Sequence, residues 1–203
     1  MLNHIFSPEN KFFVFMEKIM NSILVGFLWF LFSLPVVTVG AASCGALRYG
    51  VMQAGNEEGY VFRTFFVSFR ENLKQAVAAW LIILAAGIFL TADLYLCLNL
   101  TLPPFAERVS YTVLLCLLIC LLLTALYLFP LQSVVQMNLK QLFLHSFFTA
   151  VAHLPITFLI IVIDGICCAL IYLFPLFLPF WAGLGIFLTS YFYRYVLSEF
   201  FEK

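Results

Sequence analysis

From Val109 to Leu131 the chain carries no charged side chain at all. A block of roughly 20 apolar residues is long enough to cross the hydrocarbon core of a bilayer as a helix. Comparable blocks recur at Ile19–Leu34, Val36–Ala54, Ala76–Leu98, Phe147–Leu173 and Pro179–Leu197. Only 10% of residues are charged and 65% are hydrophobic, whereas a soluble domain carries about 25% charge. The chain lacks the polar surface to clothe a water-soluble globule. It reads as an all-α, polytopic membrane protein forming one transmembrane domain over residues 1–203.

The long polar interruption at Gly55–Gln75 shapes everything around it. At about 100° per residue, Phe62, Phe65, Phe66, Phe69 and Leu73 fall on one stripe, with Arg63, Arg70, Lys74 and Glu71 opposite. This pattern predicts an amphipathic helix over 60–75, lying at the bilayer surface and separate from the span at 76–98. Asn56-Glu57-Glu58 ahead of it favours a helix start near Gly59–Tyr60. At the amino terminus, Ser7-Pro8-Glu9 reads as another helix start.

Whether the chain crosses five or six times turns on Pro35. With one span before Gly55, the lysines and arginines divide seven to three between the two sides. With Pro35 as the turn of a hairpin, they divide nine to one, leaving only Arg108 outside. The positive-inside rule favours the second division. The expectation is six hydrophobic helices, the first two a hairpin broken at Pro35, with both termini cytoplasmic; five spans is the alternative. Small residues at Gly40, Ala41, Ala42, Ser43, Gly45 and Ala46 would let the second helix pack closely on a neighbour.

Chemistry-bearing patterns are sparse. There is no Ser-His-Asp set, glycine-rich phosphate loop, HExxH or CxxC, so no motif supports an enzyme. No cofactor or metal is expected. Zero net charge gives no electrostatic reason to expect nucleic acid. The six cysteines sit in or beside apolar blocks and read as packing residues. Asp93 and Asp164 are the carboxylates inside spans, and such groups are functional candidates by default. The two stand at equal depth in their apolar blocks, each about 25 Å of helical rise from the block's start. A shared intramembrane polar site in the outer part of the membrane is therefore the candidate, weighed against simple access to the interface. The second candidate is an interaction surface made by Arg63, Phe66, Phe69, Arg70 and Lys74.

The run Ser33-Leu34-Pro35-Val36-Val37-Thr38-Val39-Gly40 is followed by Glu58-Gly59-Tyr60-Val61-Phe62-Arg63. Phe65-Phe66 and Ser68-Phe69-Arg70-Glu71-Asn72-Leu73-Lys74-Gln75 come after it. This combination resembles the YesL-like family, small integral membrane proteins of unknown function from Gram-positive bacteria. The resemblance implies a multi-pass protein of the bacterial plasma membrane with an accessory or regulatory part in carbohydrate uptake. It implies a sugar transporter subunit or a sensor kinase as partner, beside the lipid bilayer itself. It supplies no catalytic residues.

Overall fold

The computed structural model describes residues 11–57, 59–99 and 104–198. The expected helix start at Ser7-Pro8-Glu9, residue Glu58 and the tail from 199 onward lie outside them. Among the described residues seven α-helices follow one another: α1 (Lys11–Ser33), α2 (Val39–Ala54), α3 (Val61–Asn99), α4 (Pro104–Val134), α5 (Leu139–Ala152), α6 (Leu154–Leu173) and α7 (Leu178–Val196). Among the described residues there is no strand. The chain is all-α, and α1, α3, α4, α6 and α7 are long and apolar enough to cross a membrane.

The Pro35 hairpin forms. One 3-10 turn, Val36–Thr38, joins α1 to α2. The Thr38 hydroxyl secures the turn by donating to the carbonyls of Phe32 (2.7 Å) and Pro35 (2.8 Å). With 16 residues, α2 is shorter than the roughly 20 needed for an ordinary crossing, so it is not among the five helices of spanning length. It is instead the centre of the bundle, packed on α1, α3, α4 and α7. Ala41, Ala42, Cys44 and Ala46 have no exposed surface. Small side chains make this possible: a methyl group on Gly40 would lie 2.7 Å from the Ala76 carbonyl oxygen of α3. The same logic joins α1 to α7, where a methyl on Gly26 would sit 2.6 Å from the Gly183 Cα.

The carboxyl end of α2 is closed by a Schellman motif. Asn56 takes a left-handed φ of 55°. The Glu57 amide donates to the Met52 carbonyl and the Asn56 amide donates to Gln53. The chain thereby reverses beside the start of α1. The Lys18 ammonium donates to Asn56 Oδ1 (2.7 Å), and the Ser22 hydroxyl donates to Gln53 Oε1 (3.0 Å). Arg194, near the end of α7, pairs with Glu57 at 2.6 Å. Arg48 donates to the Ser133 carbonyl at the end of α4 (3.1 Å). The early turns of α1, the α2–α3 turn and the ends of α4 and α7 thus meet at one end of the bundle.

Two expected boundaries are redrawn. No break separates a surface helix 60–75 from a span 76–98, because α3 runs through Gln75 and Ala76 as one 39-residue helix. The change from polar to apolar composition there has no breaker in it, and a helix continues across such a junction when neighbours cover it. Conversely, the block 147–173 is not one helix. α5 ends at Ala152, and α6 begins at Leu154 with Pro155 in its first turn. His153 at the joint leaves helical geometry, with φ −114° and ψ 42°. A proline lacks an N–H to donate, so it suits the opening turn of a helix and interrupts an interior. Pro130 behaves differently and stays inside α4. A proline removes the hydrogen bond to the carbonyl four residues back. That carbonyl, Leu126, instead accepts from the Tyr193 hydroxyl of α7 at 3.1 Å.

Candidate functional site

Three places carry polar chemistry. The first is the amino-terminal half of α3. Arg63, Arg70 and Lys74 are exposed along it and, among the described residues, form no ion pair. The aromatic stripe opposite them is largely used by the fold. Phe65 is fully buried and Phe69 half-buried. Phe32 of α1 packs on the rings of Phe65, Phe66 and Phe69 at centroid distances of 5.8, 5.1 and 5.2 Å. Of the candidate surface residues, Phe66 remains 42% exposed and Phe69 faces the bundle. What α3 offers outward is therefore a basic ridge with Phe62 and Phe66 at its edge, and not a free aromatic face.

The second place is an open cleft of about 530 Å³ between the end of α2, the first turns of α3 and the α4–α5 joint. Arg48, Arg63, Glu71, Asn72, Gln132 and Gln136 are among its walls. Gln132 is 3% exposed, yet neither its amide nitrogen nor its amide oxygen has a partner. Read from the sequence, Gln132 opens a polar connector; in the structure it belongs to α4. The signal that marks it is a glutamine just after Pro130 at the end of an apolar run. Beside the cleft, the Arg194 hydrogen bond and charge hold the Glu57 carboxyl below the usual carboxylate range, with Arg48 adding to the effect.

The third place is a cavity of about 370 Å³ around Asp164, walled by α1, α2, α4, α6 and α7, with Trp29, Ser43, Trp181 and Thr189 among its lining. No α3 residue lines it, so the structure does not bring Asp93 and Asp164 to one site. Equal spacing within the apolar blocks misleads here because the helices start elsewhere. Asp164 lies midway along α6 (Leu154–Leu173), whereas Asp93 lies near the far end of α3 (Val61–Asn99). Among the described residues, no group of three or more metal-ligating side chains occurs.

Residues 22–94 match the model of a family described as protein of unknown function, DUF624. That segment covers the second half of α1, the turn at Pro35, α2, the Schellman turn and α3 as far as Leu94. The chain is also 27% identical over 184 residues to the uncharacterized protein YesL of Bacillus subtilis (strain 168), an alignment covering 88% of this chain and 85% of that relative. No solved structure matches. The family match lies on the hairpin and α3, and the similarity to YesL runs over nearly the whole helical bundle, so the chain is similar to YesL-like proteins, whose function is unknown.

Proposed function

We infer that the protein is a non-enzymatic accessory component of the bacterial plasma membrane, associated with carbohydrate uptake, and that it works by contact through the amino-terminal half of α3. The carbohydrate association rests on the family resemblance alone. The contact rests on one observation: Arg63, Arg70 and Lys74 stand exposed on a helix whose other face, at Val61 and Phe65, is packed into the bundle. A preordered basic ridge costs little entropy to engage, and its charge steers an acidic partner surface towards it. The positive-inside count favours the cytoplasm for this ridge and for both termini, where a transporter subunit or sensor kinase would meet it. A photocrosslinker placed at Arg63 or Arg70 in native membranes is expected to capture a sugar-transporter subunit or a kinase. Capture of lipid alone defeats the reading. Orientation is checked independently by labelling cysteines introduced at Ser7 and Thr101 with a membrane-impermeant reagent; the first is expected inside and the second outside.

The Asp164 cavity favours a second reading, a small-solute transporter or channel subunit. On that reading Asp164→Asn abolishes uptake of some solute while the protein still accumulates, and Asp93→Asn does not, since Asp93 does not line the cavity. Normal growth of the Asp164→Asn strain in every condition that needs the protein ends this alternative.

A further inference from the structure

The docking ridge does not account for the cleft behind it. A buried amide that makes no hydrogen bond destabilises the fold, and Gln132 carries both an unpaired donor and an unpaired acceptor. The cost is recovered when something enters the cleft and bonds to both. Arg48 spends one guanidinium N–H on the Ser133 carbonyl and has others to give. Arg63 has no carboxylate partner among the described residues. Gly59, Tyr60 and Thr64 bring the first turn of α3 to the same cleft, and the positive end of a helix dipole adds to the two arginines. Glu71 is the carboxylate among the lining residues. It repels part of an anion but accepts a hydroxyl. A volume of about 530 Å³ falls in the range of small-molecule sites.

We propose that this cleft binds a small phosphate ester with two hydroxyls, the phosphate on Arg48 and Arg63, one hydroxyl accepting from Gln132 Nε2 while donating to Glu71, and the other donating to Gln132 Oε1. Two sources present that chemistry: a free polyol phosphate and the headgroup of phosphatidylglycerol. The inference shares Arg63 with the docking reading but does not depend on it, because the cleft can be filled whether or not α3 touches a protein, and Gln132→Leu, away from the ridge, tests the cleft alone.

The test uses the full chain in nanodiscs. In phosphatidylcholine discs, glycerol 3-phosphate is titrated and binding read by calorimetry. In a second arm, discs containing phosphatidylglycerol are assembled and the lipid retained after detergent exchange is quantified. Saturable binding in either arm is expected to weaken about tenfold in Arg63→Gln, the loss of one charge-assisted contact, and by a similar factor in Gln132→Leu. The arm that shows the loss identifies the source. Arg63 is exposed and the leucine replaces an unpaired amide, so both variants keep the fold, which the thermal midpoint checks. Glycerol, without the phosphate, is expected not to bind. The proposal is overturned if neither arm shows binding that depends on both residues, or if glycerol binds as well as its phosphate.

Discussion

The centre of the bundle and the far half of the α3–α4 hairpin are built on opposite plans. α2 is the least apolar of the seven helices and the most enclosed, held between α1, α3, α4 and α7. The far parts of α3 and α4 are among the most hydropathic segments of the chain and are barely covered by protein. Trp80 donates its indole N–H to the Val36 carbonyl (2.8 Å), so the α1–α2 turn lies beside the middle of α3. From Trp80 to Asn99, α3 rises about another 28 Å, and beyond Ile83 only Cys97 is buried. On α4, no described residue before Thr124 is buried. Apolar composition here marks a surface for lipid, and small size marks a surface for protein. Packing inside a membrane has little hydrophobic driving force, so close approach of backbones takes its place.

The sharpest way to break this contrast is to put a side chain into the crossing of α1 and α7. Gly26→Leu would drive atoms into the backbone around Gly183, whose Cα already lies 2.6 Å from where a Cβ would be. The expected loss is about 3 kcal/mol, the upper range of overpacking, measured by denaturant unfolding of the purified chain in detergent. A loss below about 1 kcal/mol would mean that the helices slide apart freely and the crossing is not close-packed.

A smaller loss is expected where a polar pair fastens α1 to α2. Gln53 is 1% exposed; its amide oxygen accepts from the Ser22 hydroxyl and its nitrogen donates to the Lys18 carbonyl (3.0 Å). Gln53→Leu removes both bonds and is expected to cost about 2 kcal/mol by the same unfolding measurement. It should also quicken amide exchange in α1 and α2 while leaving residues beyond Ile83 of α3 unchanged. The far hairpin answers oppositely. A methyl on Gly87 would meet only Leu121 Cδ2 at 3.8 Å, an ordinary contact. Gly87→Ala is expected to stabilise by about 0.5–1 kcal/mol through helix propensity. If Gly87→Ala destabilises instead, the hairpin is packed as closely as the bundle and the contrast fails.

Much of this division is legible in the chain, and the failures share a cause. The Pro35 hairpin and the close packing of the Gly40–Ala46 stretch follow from residue size and the missing proline N–H, which are local properties. The polar stretch at Gly55–Gln75 is legible as a helix with an aromatic stripe. Its destination is not, because the same stripe suits a bilayer surface or a neighbouring helix. Phe32, on the other side of the Pro35 hairpin, decides between them. The Asp164 cavity and the cleft at Gln132 draw walls from helices far apart in sequence, and nothing in a run of apolar residues says which ones cross. Asp93 and Asp164 look equivalent only when counted from composition boundaries. The true helix starts at Val61 and Leu154 are set by the turn after α2 and by Pro155.

The smallest expected effect concerns the tie between the turn after α2 and α7. Arg194 and Glu57 are paired at 2.6 Å with side chains 26% and 56% exposed, and exposed pairs contribute little. The carboxyl is held below its usual range by the Arg194 hydrogen bond first and its charge second. A depressed folded-state value means that the pair's contribution is present above the ordinary carboxylate range and is lost as pH falls through the lower, folded value. In low salt, acidification through that window should therefore loosen the end of α7 slightly, read as faster amide exchange at Tyr195 and Val196. Glu57→Gln should remove this pH response and leave the neutral-pH rates near those of acidified wild type. The far hairpin has no share in the pair, so exchange in α3 beyond Ile83 is the internal reference: a pH response there of equal size would show a global change of the bundle, and the tie would not be what holds α7 to the turn after α2.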